Sequence, residues 1–244
     1  MNTLADTAMV LAAGLGTRLR PLTLHKPKPM LEVGGRTMLD HALDKLVAAG
    51  IKRAVVNVFH LGDQIKAHLA SRHDIDIIIS QETELLDTGG GIKHALNHFG
   101  GRPFFALNAD LPWIDGSLPS LKRMQQVWNG DEMDGLLLLM PTGAARGFSS
   151  SGDFALDENN RAWRKDLPAP RPFVWISAQI LKPEYFIAVN ECVFSNNKIW
   201  NEMELRRKLF GIVHSGTCYH VGTPEDLAEA NRLLTAGVGW SVDA

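Results

Sequence analysis

The chain of 244 residues is long enough for one domain with a sizeable core at 45% hydrophobic composition. A formal net charge of −2 and an isoelectric point near 6.5 give no basic footprint, so no nucleic-acid partner is expected. Cys192 and Cys218 lack metal-ligand spacing and fit a reducing cytoplasm better than a disulfide framework, no apolar run reaches the roughly 18–20 residues of a membrane span, and no secretory leader is visible.

Along the first half, short apolar runs alternate with helical patterns. Residues 8–12, 53–58, 75–80 and 104–107 read as strands. Residues 37–49, 61–70, 90–98 and 118–127 read as helices. This alternation predicts an α/β fold, a Rossmann-like mostly parallel sheet with helices on both faces. A further buried strand is expected at 135–140. The second half is less regular. Residues 143–153 are rich in Gly and Ser and read as a loop, 153–156 and 162–164 as a small hairpin, and 168–172 as a proline-rich connector. A strand follows at 173–181 and a helix at 199–209. The last helix starts at Thr223-Pro224-Glu225-Asp226 and runs to about residue 234, with Thr223 as N-cap and Asp226 returning the hydrogen bond. No linker splits the chain. A single domain, 1–244, with a less regular C-terminal lobe is expected.

Ligands of such sheets bind beyond the carboxyl ends of the strands. Two segments stand there. The first is Val10-Leu11-Ala12-Ala13-Gly14-Leu15-Gly16-Thr17-Arg18-Leu19-Arg20, followed by Lys26-Pro27-Lys28-Pro29. The second is Leu107-Asn108-Ala109-Asp110. A dinucleotide-binding G-x-G-x-x-G fits at Gly14 and Gly16 but fails at Leu19. A Walker loop needs Gly-Lys followed by Ser or Thr, and no such triplet follows. Gly14 and Gly16 by themselves are as consistent with a plain turn as with a ligand loop. With Arg18, Pro27, Lys28 and Pro29 beside them, the balance moves to a phosphate site.

These residues resemble the signature of the sugar-phosphate nucleotidylyltransferases, and the resemblance spans nearly the whole chain. It continues at Glu84-Leu85-Leu86-Asp87-Thr88-Gly89-Gly90-Gly91-Ile92 and at His220-Val221-Gly222-Thr223-Pro224-Glu225. The triple glycine, the short length and the closing V-G-T-P-E are similar to the N-acetylmuramate-1-phosphate uridylyltransferase branch. Mannose-1-phosphate guanylyltransferases share the opening signature and are the alternative. The resemblance implies a cytoplasmic enzyme, a monomer or small homo-oligomer, that joins an NTP, with UTP favoured, to a sugar 1-phosphate and releases pyrophosphate.

It also implies roles. Leu11, Ala12, Ala13, Gly14, Gly16 and Thr17 lie against the nucleotide. Arg18 clamps the outer phosphates, and Lys28, on an extended backbone between two prolines, bridges the α-phosphate and the attacking phosphate. Lys26 is read as a solvated neighbour. Thr88, Gly89 and Gly90 offer amides at a helix N-terminus, and Glu82, chosen over Gln81 and Glu84, reads the base or a ribose hydroxyl. Asn108, Gly152 and Asp153 line the sugar pocket. Asp110 holds Mg²⁺, which favours carboxylates together with phosphates and water. The family's second metal-binding aspartate is replaced here by His220, a poor Mg²⁺ ligand. Three consequences are open: a metal on Asp110 with phosphates and water, a softer ion such as Mn²⁺ at His220, or a nucleotide-binding protein without efficient turnover. His41, His60, His94 and His98 are expected on helix or loop surfaces.

Overall fold

A computed structural model of the chain describes residues 3–148, 151–164, 168 and 170–237. Seven strands form the central sheet: β1 (Thr7–Leu11), β2 (Arg53–Val58), β3 (Asp76–Gln81), β4 (Phe104–Asn108), β5 (Gly135–Pro141), β6 (Phe173–Leu181) and β7 (Leu209–Val213). Their order is β7-β5-β6-β4-β1-β2-β3. β6 runs antiparallel to both neighbours, and the other pairings are parallel. β5 is an almost unbroken apolar run because both of its faces are covered.

Alternate side chains leave opposite faces of each strand. Ala8 and Val10 of β1 join one core, with Leu39, Leu43 and Leu46 of α1 (Met38–Ala48), Ile65 and Leu69 of α2 (Gly62–Leu69), and Leu121 and Met124 of α4 (Ser120–Val127). Met9 joins the other, with Ile92 of α3 (Asp87–His94), Phe186 of α5 (Glu184–Ile187), and Trp200 and Met203 of α6 (Asn197–Leu205). A third, small core holds α7 (Pro224–Thr235) on the amino-terminal signature, joining Leu233 to Leu19, Val33 and Met38. The Thr223–Asp226 capping box forms as expected, worth about 1 kcal/mol.

Most expected elements are present, and three expectations differ. The helix expected at 90–98 is α3 followed by a 3₁₀ turn, Leu96–Phe99. The helix expected to reach residue 209 stops at Leu205, and Leu209 opens β7. Lys28 stands not on extended backbone but at the start of a 3₁₀ turn, closed by hydrogen bonds from the Met30 amide to Pro27 O and from the Leu31 amide to Lys28 O. α5 was not anticipated. The hairpin forms, with Ala155–Leu156 pairing Ala162–Trp163. The loop at 143–153 and the connector at 168–172 lie partly outside the described residues, at 149–150 and 169. Among the described residues, no helix is long and apolar enough to cross a membrane.

Candidate active site

A two-part cleft opens over the carboxyl ends of β1 and β4. Its first compartment has a volume of about 400 Å³, and its second about 350 Å³. Leu11, Asp87, Thr88 and Asn108 line both compartments and form the boundary between them.

The loop after β1 supplies one wall of the first compartment. The Ala12 amide donates to Asn57 Oδ1 at 2.7 Å, and the Ala109 amide donates to Leu11 O at 3.0 Å, fixing the loop to β2 and β4. Gly14 is exposed, and a Cβ there would meet nothing within 4 Å. Gly16 is in the left-handed region (φ 60°), where a Cβ would press on Lys28 Cβ at 2.9 Å. Thr23 Oγ1 donates to Gly16 O at 2.8 Å and closes the turn. The tight packing of Gly16 brings the Lys28 segment under the loop.

Lys28 is the buried cation of the cleft. Its side chain is 8% exposed, and its ammonium donates to Asp110 Oδ2 at 2.8 Å. Asp110 is more open, at 36%. Burial acts to raise its pKa, but the Lys28 ammonium overrides this, with His220 and Arg18 adding to it, so the carboxyl stays below its ordinary value. His220 lies within the same field. Burial lowers its pKa, and Lys28 and Arg18 push the same way against the Gly147 carbonyl and Asp110. The neutral ring donates Nδ1–H to Gly147 O at 3.2 Å, which leaves Nε2 with a lone pair. Arg18 is exposed at the rim. Lys26 pairs with Glu32 at 3.4 Å, both exposed, and lines neither compartment.

Glu82 lies on the floor of the first compartment, 2% exposed. Asn57 Nδ2 donates to Oε1 at 2.7 Å and the Leu86 amide to Oε2 at 3.2 Å. Asn57 therefore ties the glycine loop to the Glu82 carboxylate. The sequence reading missed Asn57, although a polar residue inside the apolar run of β2 was a signal for it.

The triple glycine departs from its expected role. The Gly89 and Gly90 amides donate to Phe194 O, at 2.9 and 3.1 Å, and face protein rather than ligand. A Cβ on Gly89 would overlap the Phe194 ring, one on Gly90 the Cys192 carbonyl oxygen, and one on Gly91 would press on Asn57 and Glu82. The run makes room for close packing of Phe194, the Cys192 carbonyl, Asn57 and Glu82. Of that group, Thr88 reaches the cleft, and Asp87 enters α3 at φ 61° with its carboxylate on the Thr88 amide.

The second compartment is set by a bulge. β6 changes register between Trp175 and Gln179, and Ser177, fully buried, adopts φ 77° there. Its hydroxyl donates to Asn108 O at 2.8 Å and accepts the Asn108 amide at 3.2 Å. Asn108 is thereby held at the boundary, with its buried Oδ1 unpaired. Asp153 lines this compartment and accepts the Trp175 amide on Oδ2 at 2.9 Å. Gly152 has φ 87° and lies so close to the Arg171 backbone that no Cβ fits.

The expected residues Leu11, Ala12, Ala13, Gly14, Lys28, Glu82, Thr88, Asn108 and Asp110 thus converge on one compartment and Asp153 on the other. Gly16, Thr17, Arg18, Gly89, Gly90, Gly152 and His220 do not line them. Among the described residues, no group of three His, Cys, Asp or Glu side chains could hold a metal ion.

A buried lysine paired with a half-open aspartate beneath a glycine loop, at the carboxyl ends of parallel strands, defines a protein of the phosphate-handling α/β class. The MobA-like NTP transferase domain matches residues 8–138. The N-acetylmuramate alpha-1-phosphate uridylyltransferase of Caulobacter vibrioides is 38% identical over 97% of this chain and 100% of its own length. That of Neisseria meningitidis serogroup B is 43% identical over 94% of this chain and 98% of its own. The mannose-1-phosphate guanylyltransferase catalytic subunit beta of Drosophila pseudoobscura is 38% identical over only 43% of this chain and 29% of its own length. Among solved structures, a UDP-glucose pyrophosphorylase complexed with UDP-glucose shares the fold, with a TM-score of 0.77 at 19% identity over 96% of this chain and 100% of that one. The chain belongs to the MobA-like NTP transferase family and is a sugar-1-phosphate nucleotidyltransferase.

Proposed function

We propose that this enzyme joins UTP to N-acetylmuramic acid 1-phosphate, forming the UDP-sugar and pyrophosphate. A phosphate oxygen of the sugar 1-phosphate attacks the α-phosphorus of UTP, and the bond from that phosphorus to the bridging β-oxygen breaks. Such transfer depends on positioning and charge neutralisation more than on covalent help from the protein. One observation carries the reading: the buried Lys28 ammonium lies in the first compartment, paired with a carboxylate that is open to the cleft. There it meets both the α-phosphate and the incoming phosphate. The whole-length likeness to two uridylyltransferases supports UTP and this sugar over GTP and mannose 1-phosphate.

The loop from Leu11 to Gly14 packs on the nucleotide, with the Asn57–Glu82 pair holding its floor. Arg18, at the rim, takes the outer phosphates. Asp153 and Asn108 face sugar hydroxyls. The donor set fits Mg²⁺ in one way. Asp110 offers one hard, half-open carboxylate that would hold Mg²⁺, an ion that generally favours carboxylates together with phosphates and water. An ion held there would supply neutralisation of phosphate charge. The neutral His220 ring, held on Gly147, adds no negative charge.

Purified protein with Mg²⁺, UTP and N-acetylmuramic acid 1-phosphate releases pyrophosphate, and release requires both substrates. A matrix of four NTPs against several sugar 1-phosphates tests this. No turnover with any pair, in Mg²⁺ or Mn²⁺, would overturn it in favour of a nucleotide-binding protein.

A further inference from the structure

The second compartment holds two arginines, and they are not equivalent. Arg164 is fully committed. Its Nη1 donates to Asn197 Oδ1 at 2.6 Å, and its Nη2 donates to Asn197 O at 2.8 Å and Asn201 Oδ1 at 2.7 Å. Glu204 stands 3.9 Å from its Nε, and its guanidinium lies over Trp200. Among the described residues, the Arg171 guanidinium makes a single hydrogen bond, a long one from Nη1 to Asp153 O at 3.3 Å. Its Nε is buried and unpaired. Among the described residues, no Asp or Glu oxygen lies within ion-pairing distance of it. Even Asp153, in the same compartment, accepts the Trp175 amide on Oδ2. A half-buried guanidinium with a buried, unmet donor is costly unless something else completes it.

A polar chain opposite fixes what that ligand must offer. Trp200 Nε1 can only donate, and it donates to Gln179 Oε1 at 2.8 Å. Asn196 Nδ2 donates to the same oxygen at 3.1 Å, so the orientation of the Asn196 amide is set. Its Oδ1 is left unpaired in a residue only 4% exposed that lines the compartment. One wall therefore lacks an anion and the other lacks a donor. Lys28 and Asp110 line the other compartment, so the 1-phosphate is accounted for there.

We infer that Arg171 binds a carboxylate carried on the sugar, while Asn196 Oδ1 accepts an N–H or O–H from the same ring. Arg171 selects acidic amino sugars over neutral ones. The inference rests on reading the second compartment as the sugar site. Guanidinium is suited to it, because its planar fork matches a carboxylate in two parallel hydrogen bonds.

The test is calorimetric binding of N-acetylmuramic acid 1-phosphate and N-acetylglucosamine 1-phosphate, each with Mg²⁺ and a non-hydrolysable UTP analogue. The parent, Arg171→Met and Arg171→Lys are compared, with thermal melting as a folding check. Arg171→Met removes an unpaired buried donor, so the fold should persist. The parent should favour the acidic sugar. In Arg171→Met the acidic-to-neutral affinity ratio should drop about 10–100-fold, the loss expected of one charge-assisted contact. Arg171→Lys, a point charge without the fork, should fall between. An unchanged ratio would overturn the inference. So would an equal loss for both sugars, which would place Arg171 on the shared phosphate or in the fold, and so would a parent that binds neither or does not discriminate. Pyrophosphate release is measured in parallel. A selective loss of binding with no turnover from any NTP supports the subsite and sinks the proposed reaction instead.

Discussion

Lys28→Met separates the catalytic from the structural use of the buried pair. The substitution keeps the length of the stem and removes the charge. Lys28 is 8% exposed and 2.8 Å from Asp110, so the variant leaves the carboxylate without its principal partner. Deleting one partner of a fully buried ion pair costs about 3–5 kcal/mol. Asp110 is 36% open to the cleft and regains water, so a loss of about 1–2 kcal/mol is expected. The catalytic loss should be larger. Removing one preorganised charge from a transition state typically costs about 10²–10³ in rate, or about 2.7–4 kcal/mol. The assay is kcat/KM from pyrophosphate release, with urea unfolding for stability. Lys26→Ala is the control, because Lys26 is exposed on Glu32 and lines neither compartment. A folded Lys28→Met variant within about threefold of the parent would refute the reasoning, and equal losses at Lys26 and Lys28 would show the wrong lysine was assigned. The double variant Lys28→Met/Asp110→Asn should lose less than the sum of the two single losses, because groups that act as a unit are not additive.

Further expectations follow from the same geometry. Gly14→Ala should melt with the parent but weaken NTP use, whereas Gly90→Ala, whose Cβ overlaps the Cys192 carbonyl oxygen, should lose about 1–3 kcal/mol in urea unfolding. Asp110→Asn should abolish most Mg²⁺-dependent rate, while His220→Asp should lower the Mg²⁺ needed for half-maximal rate; unchanged metal dependence in Asp110→Asn would remove the metal assignment. His214 and His220 are both held neutral by burial, with pKa values pushed below that of free imidazole. The unfolded chain therefore takes up protons first, and stability is full above about pH 6.5 and falls as pH drops through that value toward the folded pKa values. The urea midpoint should be lower at pH 5.5 than at pH 7.5, and a midpoint that rises on acidification contradicts the assignment.

The sheet was largely legible because its strands are written locally. β2 and β6 were bounded correctly by their apolar runs, and α7 was announced by Thr223 and Asp226. The end of α6 carried no such mark. Leu205 and Leu209 keep helical spacing, and the stop comes at Arg207, a non-glycine residue at φ 57°, with the Lys208 amide returning to Met203 O. A left-handed arginine is invisible to a rule that waits for glycine. The triple glycine misled for a related reason. Sequence shows that a side chain is absent but not what occupies its space, and here that is Phe194, the Cys192 carbonyl and the side chains of Asn57 and Glu82.

The two compartments differ in the same respect. In the first, the glycine loop, Lys28 and Asp110 sit beside prolines, glycines and strand ends that betray them. In the second, Arg171, Gln179, Asn196 and Trp200 come from β6, α6 and the segments before them, and nothing local distinguishes them from surface or core. What identifies Arg171 and Asn196 is incomplete pairing: among the described residues, a guanidinium without a carboxylate and an amide oxygen without a donor. Such deficits exist only after folding has buried the groups, since water satisfies them in the open chain. Chemistry common to nucleotidyl transfer is thus readable from short motifs, because phosphates make the same demands on every sequence. If Arg171 and Asn196 read the sugar as inferred, its choice is written in unmet polar valence, which the folded structure alone exposes.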